Sequence, residues 1–130
     1  MRLLLDTHVA LWTVYRSERL SGPARTLLED PMADAYFSVA SLWEITIKRA
    51  KYPSRLPPAE IARRDFLEAG LKEWPLHGDV FPRFEALAPL HKDPFDRLLV
   101  ATAFTEPMRL VTANQILGRY DESGKLVLVI

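Results

Sequence analysis

Three carboxylates of this 130-residue chain, Asp6, Glu44 and Asp96, stand where strand-like sequence gives way to helix-like sequence. Asp6 ends the run Arg2-Leu3-Leu4-Leu5, whose consecutive leucines read as a short strand buried on both faces, the kind a parallel sheet contains. In open α/β sheets ligands bind just beyond the carboxyl ends of the strands, so Asp6 lies where such a protein places its chemistry. Glu44 lies one turn into a helix that follows a strand, and Asp96 is the third residue of a helix opened by Asp93-Pro94. Clustered carboxylates raise one another's pKa unless a cation sits among them. Their oxygens suit the hard ions Mg²⁺ or Mn²⁺. A divalent ion so held most often serves phosphoryl chemistry, generating a nucleophilic hydroxide and stabilising the departing oxygen.

Each acid also has a purely structural use. Asp6 or Thr7 can N-cap the helix that follows, and His8 beside them is the sort of lone histidine that caps or faces solvent. Ser41-x-x-Glu44 matches a capping box, and Glu44 with Lys48 is a favourable i,i+4 pair. Asp93 precedes proline as an N-cap, and Asp96 complements the helix dipole. Structural use explains each residue singly. It does not predict that all three converge at one edge of a sheet.

The elements that must position them alternate along the chain. After the first strand comes a helix over His8 to Tyr15, then a second over Ala24 to Glu29, with Ser21 as cap and Pro23 in its first turn. Ala35 to Val39 reads as an aromatic-rich strand that runs directly into a helix over Ser41 to Ala50. On that helix Trp43, Ile47 and Ala50 form the clearest apolar stripe, and Glu44, Lys48 and Lys51 a polar line. Prolines 53, 57 and 58 bracket a loop before an amphipathic helix over Ala59 to Ala69, which Gly70 ends. Trp74-Pro75-Leu76 reads as a short strand or connector, and Val80 to Leu87 as a helix despite Pro82. Asp93 caps a helix of small residues, Arg109 to Thr112 is a strand, Asn114 opens a helical turn, and Leu126 to Ile130 is a final strand. Strands alternating with helices imply an α/β fold, a three-layer α/β/α sandwich on a mainly parallel sheet, with residues 1–130 as a single domain.

Composition narrows the function classes. With 48% hydrophobic and 26% charged residues the chain is an ordinary globular one, and no apolar run reaches the ~20 residues that span a bilayer. The first residues carry no signal-peptide pattern, and strand sequence begins at once. The absence of cysteine excludes disulfides, thiolate metal sites and a cysteine nucleophile, and fits a cytoplasmic protein. Lys and Arg total 17 and so do Asp and Glu, so nucleic acid is not bound by the overall field and any contact is a local patch.

Four segments in register carry a resemblance: Leu3-Leu4-Leu5-Asp6-Thr7-His8, Ser38-x-x-Ser41-x-Trp43-Glu44-Ile45, His91-x-Asp93-Pro94-Phe95-Asp96-Arg97 and Leu110-Val111-Thr112-x-Asn114. They resemble the successive motifs of the PIN domain, in its bacterial VapC-type toxin group, over nearly the whole chain. The resemblance implies a Mg²⁺- or Mn²⁺-dependent endoribonuclease, a homodimer and the toxin half of a pair with a cognate antitoxin. Asp6, Glu44 and Asp96 match the family's acidic metal positions. Asp93, Thr112 and Asn114 match positions that support the site, while Lys48 and Arg97 are basic residues placed to contact RNA. Many relatives have a fourth carboxylate where this chain has Asn114, whose neutral oxygen would hold a second ion more weakly. The alternative is a non-catalytic module that keeps the fold for protein–protein contact, which retention of all three acids disfavours. A haloacid-dehalogenase phosphatase needs a second Asp two residues after the first, where His8 stands, and a response-regulator receiver needs an acidic pair there.

Overall fold

A computed structural model describes residues 2–130. Five strands, β1 (Arg2–Leu5), β2 (Asp34–Ser38), β3 (Lys72–Trp74), β4 (Arg109–Thr112) and β5 (Val127–Val129), form one sheet in the order β3-β2-β1-β4-β5. Every pairing is parallel, so the expected mainly parallel sheet is wholly so. β1 lies in the middle; the chain builds outward through β2 and β3, then crosses back to β4 and β5. The reversal opens a crevice at the carboxyl ends of β1 and β4, the topological switch point where α/β proteins bind ligands.

The three leucines of β1 explain the layers. Successive side chains of a strand point to opposite faces. Leu3 and Leu5 therefore join one cluster, with Phe37, Phe66, Val9 and Ala24, beneath α1 (Thr7–Tyr15), α2 (Gly22–Glu29) and α4 (Ala59–Glu68). Leu4 joins the other, with Leu99, Val100, Ala103, Met108 and Leu110, beneath α6 (Pro94–Thr105). α5 (Val80–Ala86) packs on α6, α3 (Val39–Lys51) follows β2 without a loop, and α7 (Gln115–Gly118) is a single turn after β4. α4 ends as its sequence foretells. Gly70 takes φ 93°, and the amides of Gly70 and Leu71 close back on the carbonyls of Leu67 and Phe66 in a Schellman arrangement.

Four local expectations are corrected. α3 starts at Val39, not Ser41, because Ser38 reaches the strand end first and its hydroxyl accepts from the Ala40 amide at 3.0 Å. The capping box is therefore absent, and Ser41 lies inside the helix. The stripe Trp43–Ile47 is not the core face: these residues are 54% and 53% exposed, while Ala40, Ser41, Glu44 and Ile45 are buried. Short side chains let α3 dock on the sheet edge and α6, and Glu44 goes in because partners await it there. β3 lies at Lys72–Trp74, ahead of the Trp74–Leu76 position expected, and β5 spans only the middle of the final apolar run.

Phe66 is fully buried and packs against Phe37 with ring centroids 5.1 Å apart. Phe66→Ala is expected to lower stability by about 3–5 kcal/mol in urea unfolding; a loss below about 1 kcal/mol would mean that α4 collapses onto the gap.

Candidate active site

Register brings the first acid to its partner. Leu5 pairs with Val111, so the residues that follow, Asp6 and Thr112, leave the sheet side by side. The Asp6 amide donates to the Val111 carbonyl at 3.0 Å, the last rung of that ladder. Asp6 Oδ1 accepts from the Val9 amide at 2.9 Å, capping α1, and Oδ2 accepts from the Thr112 hydroxyl. Thr112 Oγ1 in turn accepts from the Asn114 amide at 3.0 Å. The cap and the Thr112 bond together fix the Asp6 carboxylate at the switch point.

Glu44 arrives from α3 and is 2% exposed. Its Oε1 lies 2.6 Å from Thr7 Oγ1, which is 2.8 Å from Ser41 Oγ. The single proton of the Thr7 hydroxyl goes to the carboxylate, so Ser41 supplies the second bond. Oε2 takes a charge-assisted bond from the Lys48 ammonium, which also lies 3.7 Å from Asp93 Oδ2. Asp93 caps α6 through the amides of Phe95 and Asp96, at 2.8 and 3.3 Å. Asp96 Oδ2 lies 2.8 Å from His91 Nε2, and His91, Asp93 and Asp96 can offer ligand atoms within 4.8 Å of one another.

Electrostatics join the pieces into one cluster. Burial pushes the Asp6 carboxyl above the usual carboxylate range, helped by the charge of Glu44 and opposed by its bonds from Thr112 and Val9. Burial likewise raises Asp96, opposed by His91 and reinforced by the charges of Asp93, Glu44 and Asp6. Asp6, Glu44 and Asp96 therefore feel one another across the crevice. Burial alone would lower the Lys48 pKa, but the bond to Glu44 and the charges of Glu44, Asp93 and Asp96 outweigh it and keep the ammonium charged. Four carboxylates thus face one lysine, with His91 beside Asp96 and His8 near Asp6. Buried charge of one sign in that excess, carried on oxygen, fits a hard divalent cation.

Two of the expected residues make further bonds of their own. Asn114 spends its side-chain oxygen on the Ile116 amide, at 3.0 Å, as the cap of α7. Arg97 stacks its guanidinium on Phe84, 4.8 Å from the ring centroid, half-buried beside α5. Lys48 does stand at the acids. Thr7 and Ser41 were missed as supports of Glu44, and His91 had no assigned role. Thr7 had one legible signal, its place directly after Asp6. The other two depend on helices that meet only in the fold.

Residues 3–123 match the family model described as PIN domain. Among solved structures, the crystal structure of VapBC2 from Rickettsia felis bound to a DNA fragment from their promoter contains a chain with the same fold. The TM-score is 0.72 at 16% identity, over 100% of this chain and 99% of that one. No curated protein matches the chain. Among the described residues no helix is long and apolar enough to cross a membrane.

A carboxyl with a raised pKa holds its proton more tightly folded than unfolded. Its contribution to stability is full at low pH and is lost as pH rises from the unfolded value through the folded one. In metal-free buffer Asp6→Asn, which keeps a capping oxygen, is expected to melt above the wild type at neutral pH. The gap should narrow as pH falls through the folded value and close only below about 3, where the wild-type carboxyl is neutral in both states. Thermal melts between those pH values check this, and a variant that melts lower throughout would mean that ionised Asp6 is net stabilising.

Proposed function

The chain belongs to the PIN domain family, and from that premise we propose that it is a Mg²⁺- or Mn²⁺-dependent endoribonuclease, the toxin of a toxin–antitoxin pair. What supports this reading is the burial of Asp6 and Glu44 at the carboxyl end of the sheet, the Lys48 bridge from Glu44 to Asp93, and the grouping of His91, Asp93 and Asp96 within 4.8 Å of one another. Asp6, Glu44 and Asp96 would hold the ion. When bound, it supplies an activated water and positive charge for the leaving oxygen of an RNA phosphodiester.

The remaining residues position those three. Thr112 and the Val9 amide fix the two oxygens of Asp6, and Thr7 fixes one of Glu44. His91 orients Asp96, and Asp93 anchors the first turn of α6. Donors so placed hold the carboxylates at the productive spacing before any ion or substrate arrives. Lys48, paired with Glu44, is the cation that would meet an incoming phosphate, while Arg97 is stacked on Phe84.

Residues 1–130 act as one domain in the cytoplasm, where a chain without cysteine has no disulfide to lose. The likeness to a structure described as VapBC2 supports a cognate antitoxin as partner. A homodimer contact fits the apolar hollow of about 180 Å³ among Trp43, Phe81, Phe84, Phe95 and Leu98, flanked by exposed Ile47. Light scattering tests it: Trp43→Asp is expected to convert a dimer to a monomer, and an unchanged mass would rule out this face.

The activity is tested on a pool of structured RNAs with Mg²⁺ or Mn²⁺. Purified wild type is expected to cut, and Asp6→Asn, Glu44→Gln and Asp96→Asn each to lose at least ~100-fold. Cutting that survives all three would place the chemistry elsewhere. No cutting, with no Mn²⁺ binding by calorimetry, would leave the protein-binding module.

A further inference from the structure

We infer that Lys48 is the intramolecular competitor of the divalent ion: its ammonium and the ion claim the same oxygen of Glu44, and loading the ion drives the lysine out toward the substrate phosphate. The inference rests on the nuclease reading and goes beyond it by stating what the ion displaces and which side chain moves. Glu44 is almost fully buried, so its carboxylate bonds to protein groups. Oε1 lies 2.6 Å from the hydroxyl of Thr7, which Ser41 holds in turn at 2.8 Å. Both hydroxyls are neutral and buried, so that side of the carboxylate is fixed. Oε2 is the oxygen left for an ion, and the Lys48 ammonium is bonded to it. A Mg²⁺-like ion sits about 2.0–2.1 Å from a carboxylate oxygen, so an ammonium on the same oxygen would stand within roughly 5 Å of it. Like charges that close disfavour each other strongly out of water. One of the two must go.

The lysine already does the ion's work with half its charge. Its ammonium also lies 3.7 Å from Asp93 Oδ2, so it ties an acid of α3 to one at the start of α6, the two helices that an ion on Glu44 and Asp96 would join. Asp93 Oδ1 is committed to the amides of Phe95 and Asp96. Leaving is open to Lys48 and closed to Glu44: the side chains are 38% and 2% exposed. Lysine carries a compact, strongly hydrated charge on a flexible four-carbon stem. On its solvent side Lys48 borders a groove of about 560 Å³ between α1 and the end of α3, and no carboxylate lines that groove to hold the ammonium there. A displaced Lys48 is therefore free to meet the anion that the ion also binds, the phosphodiester.

Calorimetric Mn²⁺ titration and thermal melts on the full-length protein, without RNA, test the competition. Lys48→Met, which keeps the stem and removes the charge, is expected to bind Mn²⁺ at least ~5-fold more tightly. It should melt below the wild type in EDTA, where the acids lose their counter-charge, and level with it in saturating Mn²⁺, which stabilises the state that binds it. Lys48→Arg keeps the charge and should bind Mn²⁺ within ~2-fold of the wild type. In cleavage, Lys48→Met should need less Mn²⁺ for half its maximal rate while its KM for RNA rises at least ~3-fold. Mn²⁺ binding unchanged or weaker in Lys48→Met would make Lys48 a holder of Glu44, overturning the competition and leaving the nuclease reading standing. Melting lowered equally with and without the ion would do the same. Tighter Mn²⁺ binding with an unchanged KM would overturn the release toward phosphate. If Lys48→Met does not fold, Lys48→Gln carries the same comparison. Mn²⁺ bound by neither the wild type nor the variants would sink the metal site, and with it the nuclease reading itself.

Discussion

Asp6 is fixed by the backbone before it does anything else. Its amide completes the β1–β4 ladder, one carboxylate oxygen caps α1 and the other takes the Thr112 hydroxyl from the neighbouring strand. These bonds are available only because β1 and β4 run parallel and end in register. Two strands of opposite sense would send Asp6 and Thr112 to opposite edges of the sheet. The crossover between the two halves of the chain therefore creates the acidic centre, and every other site residue is arranged around a carboxylate that cannot swing away.

The centre is costly to maintain. Carboxylates removed from water repel one another, and their raised pKa values record that free energy. The fold offsets part of it with donors: hydroxyls from Thr7 and Thr112, helix-start amides to Asp6 and Asp93, and the Lys48 ammonium. Beneath the centre lies a core of closely packed apolar side chains, Phe37, Phe66 and the β1 leucines among them, whose burial offsets the rest. Lys48 does two things at once. It neutralises Glu44, and it stands on the wall of the neighbouring groove, so the same charge belongs to the acids and to the surface that leads to them.

Two chemically distinct surfaces flank the crevice. On the α1 side the wall is aromatic and cationic. On the side of α5 and the start of α6 it is almost purely apolar, around Trp43, Phe81 and Phe95. Trp43 meets Phe95 edge-on with centroids 5.1 Å apart, so the second surface is a formed feature shared by two helices and not a scatter of exposed residues. α3 carries residues to both surfaces and Glu44 to the centre between them. A short helix with a carboxylate on one face, an indole on another and a lysine one turn on can serve three neighbours at once.

The sequence by itself determined the alternation of strands and helices and the depth of β1, and it nominated three acids. Each of those is a local matter: three consecutive leucines can only be buried, Asp93-Pro94 can only start a helix, and Gly70 can take the positive φ that ends one. The four motifs also carried the family through their order and spacing. Facts about pairs of distant elements were not legible. Ser41-x-x-Glu44 looked like a capping box because local spacing cannot reveal that Ser38 gets there first or that Thr7, 37 residues from Glu44, binds its carboxylate. Trp43 and Ile47 looked like core because helical periodicity shows that a helix has a greasy face, not which way that face turns. The same limit hid the bond of His91 to Asp96 and the cap that Asn114 makes on α7. Local chemistry nominated the acids; the parallel register and the docking of α3 on α6 decided which partners each one finds, because only packing sets distances between residues far apart in the chain.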